Sequence, residues 1–533
     1  MEGEKNKGRP VTEDKGKQIC TPKNGESDSW ILQVEKRFNS GEFERRKTSY
    51  GASICRVPES IRSTDKKAYD PVVVSFGPYH QKKHLSAMED RKLQAVQSIL
   101  ISLHIGDDIG LKNDSEVMMT ELIKEISELE DDIRNCYEDS AIEWDSKTLV
   151  WMLTMDACFI LDFLRKGMPN SIMKREMILD ILKLENQIPL CILVKILQLE
   201  FKGSQKEVSR FLAELLTDYQ YFTGFPFSLS QAREEKNKQP NKQTQSQARD
   251  KENKELNKQT QSQAREEENK ELNKQRAKSV IDRLINAGKR PYHLLHLCRE
   301  VIASLLTDSA SETTECCSCT VNCGASSCTA SPKVITCYWQ NVFPCLYQST
   351  VLSSMPSVVK LGRAGINCEP TVDKKVHFKK RSLGRGILFL KPIIVDDSTE
   401  IILRNLMAFE ECRRVNAIQR KATISQHVCL MDNIIHTQED VEALVKKNVI
   451  VSYMGSDEEV ATIFNKICTG ITYENTEFGN LLKVVNEHYS FQLNVWRRRL
   501  QEDYFSTPWY LISFVAAALL LGMTVVQTFN SFK

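Results

Sequence analysis

Ser146–Arg165 reads SKTLVWMLTMDACFILDFLR, and where this stretch lies decides the fold. It is apolar almost all round, which suits either a membrane span or a helix at the centre of a globular body. Asp156 and Asp162 separate the two readings. Each central carboxylate costs about 2.5–3.5 kcal/mol to insert into lipid, whereas a packed interior can supply it with partners. The stretch therefore predicts a core helix against which other helices pack.

Working outward, Leu85–His104 shows apolar residues at helical spacing, with Glu89, Asp90, Arg91 and Lys92 on the wet face. Before it stands AYDPVVVSFGPYH, Ala68–His80. Its β-branched run Val72–Val74 followed by Gly77-Pro78 predicts an extended segment ending in a tight turn. The folded region begins near Ile54–Pro58. Residues 1–47 are rich in Lys, Glu, Gly and Asn and read as a disordered segment in which Trp30–Val34 forms one docking turn. Downstream, Met177–Phe201 is broken at Glu185-Asn186-Gln187-Ile188-Pro189, which predicts two helices meeting at Pro189. The polar triplet Glu185–Gln187 is either a site within the core or the capping of two helix ends, and capping is the preferred reading.

At Ser230 the composition changes. SQAREEKNKQPNKQTQ, SQARDKENKELNKQTQ and SQAREEENKELNKQRA start at Ser230, Ser246 and Ser262, a tandem repeat of 16 residues. It holds too little apolar surface to bury a shared face, so 230–277 reads as a charged, disordered insertion in a surface loop. Residues 48–229 and 278–505 then form the two parts of one helical domain. The second part opens with helical periodicity over Ala277–Leu306 and continues into a Cys-rich loop at 315–345. There Cys319-x3-Cys323 resembles a zinc knuckle but finds no second pair at the right distance, so no metal is assigned. Val376–Phe378 and Ile387–Leu390 flank Ser382–Gly386 as a β-hairpin, and Ile393–Val395 adds a short strand. Asp397–Glu400, Thr437–Asp440 and Ser456–Glu459 carry the helix-start pattern of a capping box. The fold class is mainly α: a multi-helix globular domain with a small β-hairpin element.

The chain ends on an apolar run, Trp509–Val526, within a predicted transmembrane helix at 509–528. At 1.5 Å per residue its 18 residues give about 27 Å, near the short limit for a bilayer of about 30 Å. Trp509, Tyr510, Phe514, Leu519, Leu520, Leu521, Val525 and Val526 are the expected anchor residues. Arg497, Arg498 and Arg499 just upstream would set the topology, leaving the N-terminal body cytosolic, at the plasma membrane or an endomembrane. The 533 residues include 41% hydrophobic and 27% charged, enough to bury a core and solvate its surface. Lys+Arg at 72 against Asp+Glu at 70 leaves +2, which gives no general pull toward nucleic acid. Seventeen scattered cysteines and the lack of a signal peptide suit a reducing compartment.

Taken in order, the motifs resemble a plant family catalogued as domain of unknown function 247. They are Arg56–Pro58, Tyr69–His80, Leu85–Lys92, Asp156–Leu161, Leu184–Pro189, Arg404–Glu410, Glu439–Val441, Gly455–Asp457 and Tyr504–Trp509. The resemblance covers roughly residues 54–529, with the charged repeat and the Cys-rich loop outside the pattern. It implies a mainly helical domain, a single C-terminal span and no established activity. Some grass members look like determinants of self-incompatibility, which implies recognition.

Two functions follow as expectations. The first is a membrane-tethered recognition module that holds lipid through its C-terminal helix and an unidentified protein through its body. The alternative is a membrane-associated hydrolase with a pocket near His80 or Glu185. His80 and His84 stand at i and i+4 with Glu89 beyond, but Gly77-Pro78 argues for a turn and Lys82 and Lys83 would repel a cation, so a solvated basic turn is the preferred reading, ahead of an anion site and a metal site. No Gly-x-Ser-x-Gly elbow, phosphate loop or dinucleotide fingerprint is present, so neither a cofactor nor a catalytic residue is assigned.

Overall fold

Ser146–Lys166 is a helix in the protein's structure, a computed structural model, and its buried face runs from Leu149 through Phe163 with Asp156 among the buried residues. Asp162 lies near the surface, 2.7 Å from Lys166 one turn on. The structure describes residues 53–80, 88–104, 115–138, 144–166, 171–218, 275, 278–283, 293–307, 355–371, 375–382, 384–415, 422–471, 478–491, 494–495 and 508–531. The expected disordered segment at 1–47, nearly all of the repeat at 230–277, the Cys-rich loop at 315–345, Lys82, Lys83, His84 and Arg497–Arg499 lie outside them.

The described helices of the first half are α1 (Glu59–Arg62), α2 (Glu89–His104), α3 (Ser115–Ser127), α4 (Glu130–Cys136), α5 (Ser146–Lys166), α6 (Ser171–Ile181), α7 (Leu190–Glu200) and α8 (Gln205–Asp218). Those of the second half are α9 (Leu294–Leu306), α10 (Val358–Arg363), α11 (Thr399–Val415), α12 (Thr423–Ile434), α13 (Gln438–Lys446), α14 (Asp457–Ile467), α15 (Gly479–Tyr489) and α16 (Pro508–Ser531). Helix α5 packs most heavily on α2 and also meets α3 and α7, so the apolar stretch with its two carboxylates is the hub of the first half. In the second half α12 touches α9, α11 and α14. A continuous core runs from Ile54 to Val485, and each large apolar side chain buried in it contributes about 1.5–3 kcal/mol.

The strands are β1 (Ile366–Pro370), β2 (His377–Lys380), β3 (Gly386–Leu390), β4 (Ile393–Val395) and β5 (Ile450–Ser452). β2 and β3 pair antiparallel with Phe378 opposite Leu388, as the hairpin reading requires. β1 adds itself parallel to the other edge of β3, while β4 leaves this sheet and pairs parallel with β5. Gly386 is needed here, because a Cβ would lie 2.4 Å from the Phe378 ring. Helix starts follow their caps: Thr437 and Asp440 form a full capping box on α13, and Ser456 accepts the Glu459 N–H at the head of α14. At α11 the capping carboxylate is Asp396, not Asp397; it accepts the N–H groups of Ser398 and Thr399.

The C-terminal transmembrane helix is corrected. Among the described residues no helix is long and apolar enough to cross a membrane. The segment does coil as α16, with Trp509 and Tyr510 in its first turn. Its apolar run is short of the bilayer's hydrocarbon thickness, is interrupted by Ser513, Gly522 and Thr524, and gives way to Gln527, Thr528 and Asn530. The side chains of Phe514, Leu519, Leu520, Leu521, Val525 and Val526, expected in an anchor, are exposed on this helix.

Candidate functional site

The loop Asp70–His80 carries the β-branched run read as extended, yet it enters no sheet. Its backbone is taken up by side chains from elsewhere. Asp180, at the end of α6 and fully buried, accepts the N–H of Val72 at 3.0 Å, of Val73 at 2.6 Å and of Val74 at 2.9 Å. Asn186 accepts the Phe76 N–H at 2.7 Å and donates to the carbonyls of Val74 and Asp180. Asp156 on α5 accepts the Gly77 N–H at 2.8 Å and pairs with Lys92 at 2.8 Å. Lys92 in turn donates to the Ser75 carbonyl. Helical spacing puts Lys92 on the wet face of α2; it is instead almost wholly buried, because Asp156 and Ser75 replace the water it gives up.

Gly77 sits where these groups converge. Its φ of +66° is in the left-handed region, and a Cβ would lie 2.9 Å from the Gln187 carbonyl oxygen and 3.1 Å from the Tyr137 hydroxyl. Only glycine meets both demands. Tyr137 donates to that same Gln187 oxygen, which draws the end of α4 onto the turn at 184–187.

The triplet Glu185–Gln187 supplies the other half of this knot. Glu185 accepts the Val57 N–H at 2.7 Å and the Arg62 guanidinium at 2.8 Å, and its second oxygen stands 3.3 Å from His80 Nε2. That last contact is an ion-pair distance off the hydrogen-bonding direction. Gln187 donates to the Ile181 and Lys183 carbonyls and accepts the Leu295 N–H at the head of α9. Lys183 reaches Asp180 and the Asp70 carbonyl. Asn405, from α11 in the far half of the chain, accepts the Leu184 N–H at 2.9 Å and donates to the Ala68 carbonyl. The knot thus ties three stretches near 70, 185 and 405 together.

Its electrostatics follow from these partners. Burial opposes charge on Glu185, but His80, the Val57 amide and Arg62 outweigh it and hold the carboxyl below its usual range. Burial likewise opposes charge on Lys92, and Asp156 and Glu89 more than offset it, so the ammonium stays charged. Next to the knot, His293 caps α9 by accepting the His296 N–H, while its other ring nitrogen faces the Ser53 carbonyl. Burial drives His293 well below the usual imidazole range and His296 down to about 4. Arg299 on the same helix pairs with Glu410 at 2.9 Å, and Glu410 accepts the N–H groups of Ile424 and Ser425 at the head of α12.

The structure brings His80 and Glu185 together, as a hydrolase reading requires, but holds one oxygen of Glu185 on two structural donors, the Val57 amide and Arg62. A carboxylate held below its usual range is a weak general base. Sequence reasoning missed Asp180, Lys183, Arg299 and Asn405. For Asp180, Arg299 and Asn405 the signal is a polar residue within a helix, which only a fold can pair with its partner; Lys183 lies just past the end of α6.

Much of this knot, including the loop to His80, Lys92, Asp156, Glu185–Gln187 and Asn405, falls within the motifs by which the chain resembles a known family, and comparison bears the resemblance out. Residues 54–523 match the family DUF247, described as a plant protein of unknown function. The chain belongs to that family. Similar to it are a putative UPF0481 protein of Arabidopsis thaliana, 25% identical over 525 residues and 94% of both chains, and a second Arabidopsis UPF0481 protein, 24% identical over 493 residues, 89% of this chain and 85% of the other. No solved structure matches. Family membership carries no specific activity.

Proposed function

We propose that this DUF247 chain is a protein-recognition module: a rigid helical body that presents α16 to the apolar groove of a partner protein. The observation that supports it is the exposure of α16. Ile512, Phe514, Leu519, Leu520, Leu521, Met523, Val525 and Val526 are each half or more exposed, far more contiguous apolar surface than a protein leaves to water without a use for it. A groove that receives a helix buries such a face. The hydrolase alternative at His80 and Glu185 is weaker, since Glu185 is held ionised by the Val57 amide and Arg62.

The test compares the full chain with one ending before Pro508, both expressed in plant tissue. Quantitative co-precipitation is read beside flotation of each purified form on vesicles of neutral and anionic lipid. A defined protein that binds the full chain directly once purified, and is lost on truncation, supports the reading. Flotation of the full chain with no protein lost on truncation would overturn it.

A further inference from the structure

The sequence scatters its cysteines, but the fold gathers them. Nine are described, all as free thiols, and six of these touch in three pairs: Cys55 with Cys412, Cys136 with Cys191 and Cys429 with Cys468. Each pair joins elements far apart in the chain. Cys55 precedes α1 and meets α11, Cys136 ends α4 and meets the first turn of α7, and Cys429 on α12 meets Cys468 at the C-terminal cap of α14.

The third pair is the closest to chemistry. Its two Sγ atoms are 2.8 Å apart, about 0.8 Å beyond the length of a disulfide bond, so a small side-chain adjustment brings them together. Cys429 is buried and Cys468 is partly exposed, which gives a small oxidant access to one thiol while the other waits behind it. We propose that Cys429 and Cys468 are a peroxide-responsive dithiol that closes to an intramolecular disulfide and pins α12 to α14.

The chemistry takes two steps. The Cys468 sulfur, as thiolate, attacks one oxygen of hydrogen peroxide; the O–O bond breaks, leaving a sulfenic acid and one water once protons are exchanged. The Cys429 sulfur then attacks the sulfenic sulfur, the S–O bond breaks, a second water leaves and the S–S bond forms. Two thiols lose two electrons and peroxide gains them. The hydrogen bond with Cys429, burial and the nearby Asp432 carboxylate hold the Cys468 thiol above the usual range, with Arg404 opposing. Closure is therefore slow at neutral pH and faster as the pH rises.

The experiment treats the folded full chain with graded hydrogen peroxide, blocks remaining thiols by alkylation and maps peptides without reduction. The expected result is a cross-linked Cys429–Cys468 peptide lacking two hydrogens, growing with dose, absent from Cys468→Ser and returned to two free thiols by dithiothreitol. Its unfolding midpoint should rise on oxidation in the wild-type chain alone. Both thiols recovered singly alkylated at doses that oxidise other cysteines would overturn the proposal. So would a sulfinic acid at Cys468 beside a free Cys429.

Discussion

Asp180 shows how much one side chain holds: three consecutive backbone N–H groups and the Lys183 ammonium depend on it. Asp180→Ala leaves all of them without that acceptor, the Val74 N–H and the Lys183 ammonium in the buried interior. The expected loss is about 3–5 kcal/mol, read as a lower denaturant midpoint. Asp397→Ala at the exposed pair with Arg175 should change stability by less than about 0.5 kcal/mol. Glycines give a second contrast. Gly203 has a φ of +80° and open space within 4 Å of where a Cβ would stand, whereas a Cβ on Gly77 would meet backbone at 2.9 Å. Gly203→Ala should cost about 1–2 kcal/mol for its left-handed backbone, and Gly77→Ala distinctly more; equal midpoints for the two variants would refute the close packing. Burial holds His296 at about 4, and burial with Lys391 holds His427 at about 3, against about 6.5 in the unfolded chain. Between those values the unfolded chain binds protons that the folded chain refuses, so stability is lost as pH falls from about 6.5 toward 4. Glu300, held at about 2 despite burial by His296 and Arg299, extends the loss below about 4.5. Denaturation midpoints that stay flat between pH 7 and 5 would contradict this. Asp156 is legible as a buried carboxylate because it interrupts an apolar helix. Lys92 is not, because it follows Glu89, Asp90 and Arg91 and its partner lies 64 positions on.

At the scale of elements, short-range signals read well and long-range ones poorly. The β2–β3 hairpin and the caps at Thr437 and Ser456 depend on neighbours in sequence, which is why spacing exposes them. The parallel partners β1 and β5 depend on elements some distance away and leave no local trace. Val72–Val74 has the composition of a strand, yet its N–H groups go to a carboxylate more than 100 residues away. The terminal apolar run reads by composition as a span, whereas α16 is a helix with exposed side chains that falls short of one. Because those side chains are mostly exposed, removing α16 should leave the stability of the rest within about 0.5 kcal/mol. A large drop on truncation would show that the helix is part of the core.

For the whole molecule, the polar knot joins what the sequence keeps apart. The loop at 70–80, the turn at 184–187 and Asn405 of α11 meet only when both halves of the chain fold together. Hydrogen exchange at the amides of Val72, Val73, Val74, Phe76 and Gly77 in the intact protein tests this most directly. A knot of this kind predicts exchange as slow as in the core helix α5, although these residues belong to no helix or sheet. Exchange at the rate of an exposed loop would contradict it.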